Sequence, residues 1–209
     1  MKSLPDAHLQ VDRLQGGAPV VTRIESHPWE SKVTFNPACI LVGGGGRVSS
    51  IVEKFPFDRR VKDALLGRDA LCVLLYRAQG ATLAGSNIAP SSLGLAVLSP
   101  ELELLARHDA PVLLPDRPYD NLGVEDARLT KVGENYFLMY TAYGSASPRN
   151  KIRIALASTR DFVRWEKHGL LKGDFNTIDN KNAMLFEHPV DGKYLMLHRP
   201  MEGDRKSVV

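Results

Sequence analysis

Residues 119–130, YDNLGVEDARLT, put Asp120, Glu125, Asp126 and Arg128 at the head of a run that is otherwise built for burial. The segment that follows, KVGENYFLMYTAYG, alternates aliphatic and aromatic residues as a half-buried strand does. Charges at the lip of such a strand fit a site that handles protons or sugar hydroxyls. Further charged tips occur at Tyr76-Arg77, Asn180-Lys181 and His198-Arg199. Inverting hydrolysis of a glycoside uses two carboxylates, one protonating the leaving oxygen and one activating water. Here the plausible acid, Asp126, is accompanied by Lys181, His198 and Arg199, a set suited to an anion. Arginine grips phosphate through a planar fork and lysine as a point charge. Phosphate as nucleophile carries its own charge and needs no general base, only in-line placement. The set therefore reads as one for phosphorolysis. The alternative is that the same charges are buried ion pairs, such as Asp126 with Arg77 or Arg128.

The elements that must position these residues read as strands. The runs 71–78, 93–99, 135–143, 151–159, 182–189 and 193–200 are short, aliphatic and aromatic, and bounded by Gly, Pro, Asn or Asp. GEN at 133–135 and VDGK at 190–193 are hairpin turns. DRRVKDALLGR, from residue 58, is the one plausible helix, and the glycines at 43–46 read as a flexible turn. No Gly-Lys-Ser/Thr follows them, which argues against a phosphate cradle. Trp165 reads as edge packing, and Trp29 either lines an acceptor subsite or packs at the surface.

LCVLLYRAQG, NYFLMYTAYG and KYLMLHRP recur about 60 residues apart, each a hydrophobic strand ending in polar or charged residues within a unit of about four strands. Repeated four-stranded units favour a β-propeller over a β-sandwich, because one blade cannot bury both faces alone. The innermost strands of a propeller line one channel, so charged tips from different units meet there. The expectation is an all-β chain, 1–209, forming a single partial propeller domain of about three blades. Such a chain is truncated, part of something longer, or closed by pairing with other copies into a homo-oligomer.

Composition excludes other classes. Of 209 residues, 44% are hydrophobic and 24% charged, which is ordinary globular material. The net charge of +3 is interspersed, with no basic stripe of the kind that binds nucleic acid. Cys39 and Cys72 lie in apolar runs and read as buried free thiols. Scattered histidines offer no metal-ligand spacing. The N-terminus lacks the apolar core of a signal peptide, and no run is long enough to span a membrane. The reading is a cytoplasmic protein.

The chain resembles glycoside hydrolase family 130, the mannoside phosphorylases and related β-mannosidases. The resemblance rests on FNPACI (35–40), LLYRA (74–78), GVEDARLT (123–130), FLMYTAYG (137–144), STRDFVRWEKHG (158–169), NKNAMLF (180–186) and GKYLMLHRP (192–200). The family usually has proline at the position of Ala127 and often aspartate at that of Asn182. The resemblance implies a five-bladed propeller and a glycosyltransferase-type phosphorylase with no cofactor. It implies inverting cleavage of a β-mannosidic bond by inorganic phosphate as co-substrate, giving α-mannose 1-phosphate. Asp126 would be the general acid, relaying its proton through a sugar hydroxyl. Asn36, Arg77, Glu125 and Arg128 would bind the substrate, a β-mannoside oligosaccharide. Lys181, Arg199 and, less directly, His198 would bind phosphate. A β-mannoside hydrolase of the same family and a non-catalytic sugar-binding fragment are the competing readings. Loops 43–70 and 80–92 would set the acceptor sugar.

Overall fold

Alternation of large apolar side chains, interrupted by Asp-Gly and Gly-Glu turns, makes this chain a series of antiparallel meanders. The computed structural model describes residues 13–146 and 151–201. Strands β1 (Val33–Gly43), β2 (Ala70–Gln79), β3 (Ser91–Leu98) and β4 (Leu104–Arg107) form one antiparallel unit. Strands β5 (Gly123–Val132), β6 (Asn135–Tyr143), β7 (Ile152–Thr159) and β8 (Glu166–Leu170) form a second. Strands β9 (Asn180–Leu185) and β10 (Met196–Pro200) begin a third. A single parallel bridge, Ser91 to Gly123, joins the first unit to the second. The opening strands β1, β5 and β9 pack side by side.

Each strand sends alternate residues to opposite faces, and each face finds a different partner. Val73, Leu75, Leu93, Leu95 and Val97 of the first unit meet Val124, Leu138, Tyr140, Ala142 and Ala155 of the second in the main core. The opposite face of the first unit, with Leu74, Tyr76, Ala96 and Leu98, is covered by Val20, Val21 and Trp29. Met139 and Ile154 of the second unit pack on Ala183 and Met196 of the third. Strand β3 is buried at every position, as a strand covered on both faces must be.

The hairpin at 190–193 closes with Asp191 at φ 50° and Gly192 at φ 73°, the paired left-handed residues of a type I′ turn. Helix α2 (Arg59–Leu65) starts where Asp58 caps it, accepting a hydrogen bond from the Val61 amide at 2.9 Å. Two expectations need correction. Cys39 is exposed, on the face of β1 that the core leaves open, whereas Cys72 is buried. The glycines at 43–46 do not form only a turn: they end β1 and open helix α1 (Gly45–Val52). Loop 43–70 is therefore mostly helical. Of the two readings for Trp29, its contacts are those of packing. Its indole N–H donates to the Asp109 carbonyl at 2.8 Å and its ring stacks on Tyr76, 6.0 Å between centroids. No helix among the described residues is long and apolar enough to cross a membrane.

Candidate functional site

The three opening strands share one local defect. On β1 the register slips between the pairs Phe35–Arg77 and Ala38–Leu75, on β5 between Glu125–Thr141 and Arg128–Met139. On β9 it slips between Lys181–Arg199 and Met184–Leu197. In each bulge two residues oppose one: Asn36-Pro37 face Tyr76, Asp126-Ala127 face Tyr140, and Asn182-Ala183 face His198. The first bulge residue is left-handed every time, with φ of 43° at Asn36, 48° at Asp126 and 55° at Asn182. Asn and Asp are the side-chain-bearing residues that tolerate this region best. Bulges of this kind re-aim side chains.

The result is a cluster drawn from two units. Asn36 Nδ2 donates to Asp126 Oδ1 at 2.6 Å. Arg77 spreads its guanidinium over three partners: Nε donates to Ser91 Oγ at 2.9 Å, Nη2 to Glu125 Oε1 at 2.6 Å, and Nη1 to Asp126 Oδ1 at 3.3 Å. Its cation lies 4.5 Å from the centre of the Phe35 ring. Ser91 also donates to Glu125 at 3.2 Å and accepts from Gln79 Nε2 at 3.0 Å. Asp126 is buried, while Asn36 stays exposed. Burial pushes the Glu125 carboxyl above its usual range. Arg77 pulls it back, Asp126 pushes it further up, and Ser91 and Lys181 draw it down.

The remaining predicted residues fall around this cluster less tightly. Lys181 is half-buried on β9, close enough to act on Glu125. Arg128 turns back on its own strand, donating to the Ala127 carbonyl at 2.6 Å, and forms no ion pair among the described residues. Arg199 pairs in register with Lys181 and is exposed. His198 is buried behind the third bulge. Its Nδ1 lies 2.9 Å from Asn180 Nδ2, its ring 5.3 Å from that of Phe175, and Nε2 has no hydrogen-bond partner among the described residues. Burial lowers its pKa, which favours the neutral imidazole.

Behind the first two bulges lies a pattern that sequence reading missed. Tyr76 donates to Glu30 at 3.0 Å, and Arg107 of β4 binds both the Tyr76 hydroxyl, at 2.9 Å, and Glu30. Tyr140 donates to Asp120 at 3.0 Å, and Lys167 of β8 reaches Asp120 at 2.7 Å and Asp116 at 2.6 Å. Each clasp joins the segment before an opening strand, the second strand and the fourth. Glu30 and Asp120 are fully buried. The available signal was the matching offset of Glu30 from Asn36 and of Asp120 from Asp126.

Chemically, the cluster offers a buried carboxylate held by an amide and a guanidinium, a second carboxyl biased toward its protonated form, and a nearby lysine. It can bind a polyhydroxylated ring and manage a proton beside an anion. At the other end of the opening strands a groove of about 400 Å³ is lined by Ile40, Leu41, Leu129, Thr130, Met184 and Phe186. Among the described residues no group of three His, Cys, Asp or Glu side chains is placed to hold a metal ion.

A family model described as beta-1,4-mannooligosaccharide phosphorylase matches residues 61–206. A beta-1,2-mannobiose phosphorylase from Thermoanaerobacter sp. is 28% identical over 190 residues, 88% of this chain and 52% of that protein. A 1,2-beta-oligomannan phosphorylase from Thermoanaerobacter sp. is 35% identical over 109 residues, covering 52% of this chain and 35% of its own length. Among solved structures, a glycosyl hydrolase from Bacteroides ovatus superimposes with a TM-score of 0.68 at 26% identity, over 93% of this chain and 54% of that one. Another, at TM-score 0.68 and 27% identity over 93% of this chain and 54% of that one, comes from work on mannoside phosphorylases and on hydrolases that target beta-1,2 mannosidic linkages in Candida mannan. The chain spans about half the length of the first curated relative it matches.

Proposed function

The chain belongs to glycoside hydrolase family 130, and on that premise we propose that it carries the acid side of a mannoside phosphorylase site. The observation that supports this most directly is Asp126, buried on a bulge and held by Asn36 and Arg77. In the proposed reaction inorganic phosphate attacks the anomeric carbon of a β-mannosyl unit from the face opposite the leaving oxygen. The bond from that carbon to the glycosidic oxygen breaks as the new bond to phosphate forms. The proton needed by the departing oxygen comes from Asp126 through a sugar hydroxyl, and inversion gives α-mannose 1-phosphate. Asn36, Arg77 and Glu125 hold the mannosyl ring, with Arg128 at its margin. Lys181 and Arg199 hold phosphate, and His198 supports them from behind the third bulge.

The two four-stranded units and the β9–β10 pair act, in this reading, as blades of a five-bladed propeller, one partial domain whose axis runs along β1, β5 and β9. Closure of the ring needs further blades, and gel filtration with light scattering reads whether copies of this chain supply them.

Incubation with β-1,2- and β-1,4-mannobiose, with and without inorganic phosphate, tests the chemistry. Release of mannose 1-phosphate that depends on phosphate is the expected result. Free mannose released without phosphate would instead establish the hydrolase reading, to which the work behind one similar structure gives a specific basis. Binding of mannose with no turnover under either condition would leave a sugar-binding module.

A further inference from the structure

We propose that Asn182 is a third sugar-binding residue, its carboxamide hydrogen-bonding hydroxyls of the same mannosyl ring that Asn36 and Asp126 face. The proposal rests on the functional reading above and extends it to a residue outside the set predicted from sequence.

The argument is one of structural equivalence. Asn182 occupies in β9 the place that Asn36 occupies in β1 and Asp126 in β5. All three open a two-against-one bulge, all three are left-handed, and each lies opposite a buried polar ring on the neighbouring strand. A residue with a Cβ is disfavoured in that conformation, and such strain persists where surrounding structure enforces it, most often at sites that bind or react. Two of the three equivalent side chains already meet at 2.6 Å. Packing of β5 against β9 brings the strand that carries the third against the strand that carries Asp126.

Local contacts fix the backbone and leave the side chain available. The Asn182 amide N–H donates to Thr141 Oγ1 at 3.3 Å, and Thr141 is the register partner of Glu125. Asn182 is thus tied through Thr141 to the strand position that pairs with Glu125. Its side chain is half-buried and makes no hydrogen bond among the described residues. A carboxamide offers two N–H donors and an acceptor oxygen, which suits adjacent hydroxyls that both give and receive. Phosphate would use only the donors, and Lys181 next door already supplies positive charge.

The experiment compares the wild type with Asn182→Gly and Asn182→Asp. Glycine keeps the left-handed bulge at no steric cost while deleting the amide, so the fold is retained or stabilised. Aspartate keeps an acceptor for hydroxyls but repels an anion. Mannose and inorganic phosphate are titrated separately by calorimetry, with the melting temperature followed in parallel. The expected result is mannose binding weaker by about tenfold or more in Asn182→Gly, with no fall in melting temperature. Asn182→Asp should hold mannose within about threefold of wild type, since the acceptor remains. Mannose binding unchanged in Asn182→Gly overturns the proposal while leaving the phosphorylase reading intact. So does a loss confined to phosphate in Asn182→Gly. Wild-type protein that binds neither mannose nor phosphate overturns both.

Discussion

Asn36 and Asp126, on bulges of two different units, are joined by a 2.6 Å hydrogen bond from the Asn36 amide to the Asp126 carboxylate. Neither strand would place its side chain there if regular. Alternation would set both along their own sheets, and only the left-handed residue at each bulge turns the two toward each other. The amide donor also fixes which carboxylate oxygen is occupied, leaving Oδ2 without a hydrogen-bond partner among the described residues.

That geometry makes the pair separable by mutation. On the role proposed for Asp126, Asp126→Asn removes the proton donor while keeping shape, and turnover should fall by roughly 10²–10⁴-fold with mannose binding retained. Asn36→Ala deletes the bond that positions Asp126 and a contact to the ring but leaves the acid in place, and should cost less, on the order of tenfold in kcat. Equal losses in the two variants, measured by mannose 1-phosphate release, would contradict this division of roles.

Arg77 makes a sharper case, because one guanidinium serves Ser91, Glu125 and Asp126 at once. A lysine ammonium at the same place is a point charge without the fork. Arg77→Lys should therefore preserve net charge but lose about 1–3 kcal/mol of stability, as buried acceptors go unpaired. It should also depress kcat/KM by more than Asn36→Ala. Urea unfolding and steady-state kinetics read the two effects separately.

How much of this the chain announced depends on the element. The strand around Tyr136–Tyr143 was legible to the residue, because both its faces are covered and its ends carry turn residues. Strand β1 was not read as a strand, since one face is open and Asn36-Pro37 interrupt its pattern. The four residues of β4 are too few to show a period. Arg77, Glu125 and Asp126 were correctly suspected of lying together, from charge in apolar surroundings. Their bulges depend on tertiary register that no local pattern encodes, and the Glu30 and Asp120 clasps show only as a matching offset from Asn36 and Asp126. Arg128 shows the converse. Proximity in sequence to Asp126 implied a partner, yet its guanidinium reaches only the carbonyl of Ala127.

The second clasp predicts a large stability effect far from substrate. Lys167 is 6% exposed and Asp120 fully buried, so Lys167→Met strands a buried carboxylate. Breaking such a pair from one side costs about 3–5 kcal/mol. Adding Asp120→Asn, which removes the orphaned charge, should recover part of that loss. Urea denaturation of the single and double variants measures both, and additive losses would contradict the pairing.

Glu125 gives a pH dependence whose direction is fixed. Burial first, with Asp126 adding to it, raises its carboxyl above the usual value near 4.5, against Arg77, Ser91 and Lys181. The folded protein then holds this proton to higher pH than the unfolded chain does. Its contribution to stability is fully present below about pH 4.5 and is lost as pH rises through the folded value. Relative to Glu125→Gln, the wild type should lose stability as pH rises above about 4.5. Denaturation across that range reads the difference, and a rising curve would reverse the sign claimed here.

Gly94 lies opposite Tyr76 in the β2–β3 register, and the clasp leaves no room for a side chain there. A Cβ at Gly94 would sit 2.2 Å from Tyr76 Cζ and 2.6 Å from Trp29 Cη2. Tyr76 cannot swing aside without abandoning Glu30 and Arg107, so relief must come from backbone movement. Gly94→Ala should thus cost about 1–3 kcal/mol by overpacking, and more if the clasp opens. Because Tyr76 backs the Asn36 bulge, mannose binding should weaken along with stability. Gly46→Ala supplies the control: it lies in α1 with nothing within 4 Å of a new Cβ, and should stabilise by about 0.5–1 kcal/mol. Thermal unfolding that ranks the two variants in the reverse order would mean that Tyr76 is not locked in place.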